Sequence, residues 1–208
     1  MAKGNDGNYL QHCIEVEAAV RLAEMDAAGR LHIALTHGMR PFEPFEEQKT
    51  GTCRELLLRK LADANNKPQV EDPAVVKAYR ETGASKTCYP NSAELLRAAI
   101  GAENLSGGIT EICSKKHKCL SEAWLNTNVK TARASWRKEI HSEGILACPD
   151  DLQTLWLFSM DPMTYSERCN KKKNLKRSDI DILPLALCRY FRSGYPGIAA
   201  LFVYGVGK

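Results

Sequence analysis

The sequence predicts an α/β domain built on a mainly parallel sheet with helices on both faces. Short apolar runs of strand length alternate with longer segments whose apolar residues recur at helical spacing. Strands separated by helices are joined by right-handed crossovers and so lie parallel. The runs at 31–35, 154–160 and 198–204 are apolar nearly throughout, the pattern of strands buried on both faces. The first two end abruptly, in Thr36-His37-Gly38 and in Asp161-Pro162, which are turn-forming sequences.

The elements follow in order. Residues 9–28 read as a helix in which Leu10, Cys13, Ile14, Val16, Val20, Leu22 and Ala23 form a broad buried face and Gly29 is the stop. The strand at 31–35 comes next. Residues 40–90 differ in kind, because Pro41, Pro44, Pro68 and Pro73 interrupt them and leave room for helical pieces at 53–64 and 73–82. Their apolar content is too low for an independent core. A helical insertion at about 40–90 within a single domain spanning 1–208 is therefore expected. Beyond it the sequence predicts a helix at 92–100 capped by Ser92, a strand at 109–113, a helix at 118–134 and a short edge strand at 145–148. The strand at 154–160, a helix at 180–192 with Pro184 in its first turn, and the strand at 198–204 complete the set.

A chain of 208 residues buries one substantial core. With 44% hydrophobic and 26% charged residues it has the composition of a soluble globular protein. No stretch approaches the roughly 18 apolar residues of a membrane helix, and no apolar signal core stands at the N-terminus, so the expected compartment is the cytoplasm. The eight cysteines, at 13, 53, 88, 113, 119, 148, 169 and 188, form no C-x-x-C pair. Cys113 and Cys119, with His117 between them, fit no common zinc spacing. Reduced, mostly buried thiols and no metal are expected. The net charge of +4 is concentrated in two clusters, Lys115-Lys116-His117-Lys118 and Lys171, Lys172, Lys173, Lys176 and Arg177. Each is either a solvated loop or a phosphate-binding surface.

In a sheet of this kind ligands bind at the carboxyl ends of the strands, near the point where strand order reverses. Three strand ends carry candidate polar residues: Thr36-His37-Gly38, Glu111, and Asp161-Pro162-Met163-Thr164-Tyr165. The third has a clear chemical rationale. Methylating an aromatic exocyclic amine requires acceptors for the amine hydrogens, which raises the nucleophilicity of the nitrogen. A carboxylate followed by a proline-fixed carbonyl offers two acceptors, and an aromatic ring stacks on an extruded base. Each motif also has a structural alternative. Asp161-Pro162 suits a strand-ending turn, Tyr165 a core aromatic, Glu111 a helix cap, His37 a satisfied buried histidine and His12 a packing or capping residue. Trp124, Trp136 and Trp156 fall at core positions.

Seven collinear motifs carry a resemblance to a known family. Lys3-Gly4-Asn5-Asp6-Gly7-Asn8-Tyr9-Leu10-Gln11-His12 resembles the opening H-A-G-N-x-A-D-V-L-K-H of the RlmJ family, which methylates an adenine amine in ribosomal RNA. The run ending Thr36-His37-Gly38 resembles that family's strand ending D-T-H-A-G-x-G, and Tyr89-Pro90-Asn91-Ser92 resembles its Y-P-G-S-P. Glu111 falls at the ribose-binding acid and Glu143-Gly144 at the D-G whose acid meets the cofactor adenine. Asp161-Pro162-Met163-Thr164-Tyr165 stands at D-P-P-Y, and Phe202-Val203-Tyr204-Gly205 resembles the W-Y-P strand.

The resemblance implies a Rossmann-like S-adenosylmethionine-dependent methyltransferase fold acting on adenine in RNA or DNA. Thr36, His37 and Gly38 would form the turn under the methionine part of S-adenosylmethionine, Glu111 would hold the ribose hydroxyls, and Glu143 and Gly144 the adenine. Asp161 and the Pro162 carbonyl would accept from the target amine while Tyr165 stacks on the base. Asn5, His12, Lys171, Lys172 and Lys173 would hold the nucleic acid. The departures are specific. The family's D-T-H-A-G-x-G reads Leu35-Thr36-His37-Gly38-Met39-Arg40-Pro41 here, so the acid is lost and only one glycine remains. Asp161–Tyr165 has one residue more than D-P-P-Y and is similar to the D-P-F-G-Y of three-Cys-motif partner proteins. The sequence ends after the fifth strand, without the usual terminal hairpin. These losses leave a rival expectation, a catalytically inactive methyltransferase-fold protein that binds RNA or a protein partner. A nuclease has no paired-carboxylate metal motif to support it.

Overall fold

The computed structural model describes residues 6–44, 72–84, 88–140 and 143–147, and the strands at 155–160, 163–165, 172–174 and 198–202. For those four strands, for residues 6–8 and for Pro44 the backbone alone is described. The expected helices at 53–64 and 180–192, Asn5, Asp161, Pro162 and Lys171 lie outside these residues.

A five-stranded sheet organises the fold. Its strands are β1 (Leu31–Leu35), β4 (Leu105–Thr110), β5 (Val129–Ala132), β6 (Leu155–Met160) and β9 (Ile198–Phe202), in the spatial order β5-β4-β1-β6-β9. All four pairings are parallel. Counting only these strands in chain order gives 3-2-1-4-5, the doubly wound arrangement, with the order reversing between β1 and β6. β1 is buried at every position, and Leu31 pairs with Leu105 on one side and Leu155 on the other. An apolar run without alternation is what a central strand with both faces covered requires.

Helix α1 (Asp6–Met25) lies across β1, β6 and β9, and α3 (Ser92–Ile100) packs beside it over β4. α1 ends earlier than the sequence suggests, because the Asp26 carboxylate accepts the amides of Ala28 and Arg30 and draws the backbone out of the helix before Gly29. Its buried face also differs from expectation. Leu10 and Ile14 are 57% and 42% exposed and Cys13 is exposed, whereas Gln11, His12, Glu15, Val16 and Ala19 are buried. The first two turns of α1 thus present a polar stripe to the interior.

Three further expectations are corrected. The second strand begins at Leu105 rather than Ile109, hidden by Gly107 and Gly108. Gly107 adopts φ +112°, and a Cβ there would lie 2.0 Å from the Ile33 carbonyl oxygen, so only glycine fits. The expected helix at 118–134 is α4 (Ser114–Ala123) followed by β5, the chain turning at Asn126 with φ 65°. Residues 145–147 form a turn instead of an edge strand, because their amides bond back to Glu139 and Gly144, and the Ile145 carbonyl lies against Gly108. α5 (Trp136–Glu139) precedes that turn.

The insertion is not wholly helical in its described part. β2 (Phe42–Pro44) and β3 (Cys88–Pro90) pair antiparallel, and α2 (Ala74–Glu81) packs against α1 and α3. Lys116 of α4 reaches Glu43 at 3.3 Å and ties this ribbon to the main sheet. Of the described cysteines, Cys13 and Cys119 are exposed and Cys88 and Cys113 half-buried, so the expectation of mostly buried thiols fails for these four. Trp124 and Trp136 are core residues, as expected. Among the described residues no helix is long and apolar enough to cross a membrane.

Candidate functional site

The carboxyl ends of β1 and β4 meet in a tightly bonded rim. The Thr110 hydroxyl donates to the Thr36 carbonyl at 2.8 Å, and the Gly38 amide donates to the Thr110 carbonyl at 2.7 Å, so the ladder continues past both strands into the turn. Asn91 accepts from the Glu94 amide as the N-cap of α3, in place of the expected Ser92, and its side-chain amide donates to the Gly38 carbonyl at 2.5 Å. Asn91 was not among the residues the sequence singled out for a site. Its position in Tyr89-Pro90-Asn91-Ser92, at the entry of a helix, is the signal that points to it.

Glu111 follows β4 directly and is 6% exposed. One carboxylate oxygen accepts from the Met39 amide at 2.9 Å and the other from the Cys113 amide at 2.7 Å. A single acid therefore clamps the turn after β1 to the loop after β4. Met39 occupies φ 56°, the left-handed region that glycine occupies freely. Gly38 is required for a different reason, since a Cβ there would lie 2.4 Å from Leu120 and 2.8 Å from Ile109. The space its side chain would need is filled by the protein's own core.

Behind this turn stands the polar stripe of α1. Gln11 donates to Glu15 at 2.9 Å, and the His12 Nδ1 lies 2.5 Å from the Tyr79 hydroxyl of α2. Burial lowers the His12 imidazole to about 4 and raises the Tyr79 phenol well above its usual value of 10, with neighbouring Tyr9 adding to the latter. The pair is thus neutral around pH 7, with the tyrosine hydroxyl able to donate to the imidazole. Thr36 and His37 bond to each other at 2.8 Å. Gln11, His12, Glu15, Thr36, His37 and Asn91 enclose most of a cavity of about 20 Å³, room for about one water molecule. His12, expected to meet nucleic acid, is 4% exposed and committed to Tyr79.

The remaining expected residues fall elsewhere. Glu143 is exposed, Gly144 lies against the backbone of Glu139, and neither lines this cavity. Ser159 of β6 is in register with Leu35, so the chain after Met160 sets out from the same rim as the turn after β1. Tyr165 and Lys172 are opposite each other in an antiparallel ribbon of β7 (Met163–Tyr165) and β8 (Lys172–Asn174), in which Lys173 pairs with Thr164. Part of the expected basic loop is therefore a strand joined to the Asp-Pro segment.

A second, larger opening of about 620 Å³ lies on the other side of the Glu111 clamp, where the carboxyl ends of β4 and β5 adjoin the start of α4. Lys115, Arg133 and Lys138 stand around it with Ser114 and Ser135. Among the described residues no cluster of three or more His, Cys, Asp or Glu is arranged to hold a metal.

No protein-family model and no curated protein matches the chain. Its structure is similar to the crystal structure of protein LPL1258 from Legionella pneumophila str. Philadelphia 1, described under family model DUF519. The TM-score is 0.60 over 95% of this chain and 68% of that one, at 12% sequence identity. At that identity the likeness is one of fold.

Proposed function

We propose that the chain is an S-adenosylmethionine-dependent methyltransferase of the Rossmann-like type, acting in the cytoplasm on the exocyclic amine of an adenine in RNA or DNA. The observation that carries this reading is Glu111, a buried acid at the carboxyl end of the second strand of a 3-2-1-4-5 sheet, bonded to the turn after the first. In doubly wound folds an acid at that place accepts from ribose hydroxyls. Each Glu111 oxygen accepts one backbone amide in the structure, and a carboxylate oxygen has a further lone-pair site. The clamp and a ribose are thus compatible.

The cofactor would supply the electrophilic methyl group. Asp161 and the Pro162 carbonyl would accept the hydrogens of the target amine and hold its lone pair toward that methyl, with Tyr165 stacking on the base. The pairing of Tyr165 with Lys172 in one ribbon supports a common role for that segment and the basic residues in holding nucleic acid. Calorimetry of the intact protein with S-adenosylmethionine tests the first step, with binding in the micromolar range expected; absence of binding removes the reading. Transfer of a labelled methyl group to RNA, lost in Asp161→Asn, tests the second.

One observation favours a different reading, a methyltransferase fold that binds RNA or a protein partner without catalysis. The turn after β1 carries Met39 and Pro41 where backbone must approach a ligand closely, and among the described residues the cavity beside it holds about 20 Å³. Salt-dependent RNA binding in the absence of cofactor binding would select it.

A further inference from the structure

Of the basic residues around α4, Lys116 is engaged with Glu43. Lys115 is not, and it lines the 620 Å³ opening together with Arg133, just after β5, and Lys138 of α5. All three side chains are exposed, and among the described residues they form no ion pair and no acidic side chain lines the opening. Three positive charges converging on one concavity with no anion among them repel one another and favour a bound anion.

Two independent features lie in the same opening. The ten-residue helix α4 begins there: Cys113, Ser114 and Lys115 line the opening, with no acidic residue in the first turn and no side-chain cap from Cys113. Ser135 lines the opening, is 8% exposed, and its hydroxyl makes no hydrogen bond among the described residues. A hydroxyl that opens to the cavity, beside the start of a helix and three cations, matches the donor set that a phosphate group uses.

We propose that this opening is a binding site for a dianionic phosphate, carried by a small nucleotide or free in solution. Arg133, Lys138 and Lys115 neutralise it, while the Ser135 hydroxyl and the first amides of α4 donate to its oxygens. A recessed cluster of cations suits a terminal phosphate with two charges better than the singly charged diesters of a polynucleotide, which call for cations spread along a track. The site uses no residue of the turn at 36–39 nor of 161–165, and its link to the methyltransferase reading is Cys113, whose amide Glu111 holds.

The test is calorimetric titration of the intact chain with inorganic phosphate, 5′-AMP, 3′-AMP and adenosine, and with a single-stranded RNA lacking terminal phosphates. The wild type is compared with R133Q/K138Q and with Ser135→Ala. The substituted cations are exposed and unpaired, so the thermal midpoint of R133Q/K138Q should equal that of the wild type. Phosphate or a nucleotide is expected to bind in the wild type, adenosine at least about tenfold more weakly, with about a tenfold loss for Ser135→Ala and a larger one for the double variant. If a nucleotide binds more tightly than inorganic phosphate the source is a nucleotide; if the two are equal it is the free anion. Equal binding of adenosine and AMP without phosphate binding, affinities unmoved by the variants, or binding of the RNA alone would overturn the proposal.

Discussion

The two sides of Glu111 are built on opposite principles. On the β1 side buried polar groups bond to one another: Asn91 holds the Gly38 carbonyl, Gln11 holds Glu15 and His12 meets Tyr79, beside a cavity of about 20 Å³. On the β5 side Lys115, Arg133 and Lys138 face outward around about 620 Å³, with a helix start and an unbonded serine. On the first side the polar groups bond mainly to one another, and on the second the charged groups are turned to solvent. A buried polar network stabilises only when its members pair, whereas exposed cations contribute little to folding and are kept at small cost.

The largest expected effect breaks the comparison by acid. Burial holds His12 and His32 at about 4 in the folded chain, below the unfolded value of 6.5. Between pH 6.5 and 4 the unfolded chain therefore takes up protons that the folded chain refuses, and stability falls as pH falls through that window. The loss is up to about 3 kcal/mol for each histidine, because every tenfold difference in proton affinity between the two states is worth about 1.4 kcal/mol. Urea midpoints measured from pH 7 to pH 4.5 should show this slope, and His12→Asn should remove about half of it. A slope unchanged in that variant would show that the closed side does not hold its histidine neutral.

Glu111→Ala comes next. It strips the acceptor from the amides of Met39 and Cys113 together and should cost about 3 kcal/mol in urea unfolding at pH 7. A cost below about 0.5 kcal/mol would mean that the two loops hold their places without the clamp. Met39→Gly is the smallest effect and is of opposite sign. Relief of the φ 56° conformation outweighs the extra freedom gained by the unfolded chain, so the variant should gain up to about 1 kcal/mol. A lower melting midpoint would show that the methionine side chain is held by packing worth more than the strain.

Much of the sheet could be read from the sequence because several of its strands are apolar nearly throughout, and β1 is buried at every position. Leu31–Leu35, Leu155–Met160 and Ile198–Phe202 carry nearly continuous apolar runs that no surface element would show. β4 and β5 were obscured for identifiable reasons. Gly107 and Gly108 give β4 no apolar signature, since their role is to let Ile33 and Ile145 approach, and β5 is short and half polar. Glu111 was identifiable as a candidate because an acid beside a strand end is a local pattern, but its bonds to Met39 and Cys113 join segments 72 residues apart.

By itself, then, the sequence determined which segments would be strands and helices wherever burial imposed a period, and it marked Thr36, Gly38 and Glu111 as the residues at strand ends. Tertiary structure alone decided which stripe of α1 turns inward. Its periodicity favours burying Leu10, Cys13 and Ile14, yet the folded chain buries Gln11, His12 and Glu15. Burying polar groups is unfavourable until partners are supplied, and for His12 the partner is Tyr79, 67 residues away. No local pattern contains that partner, so only the folded chain could settle the choice.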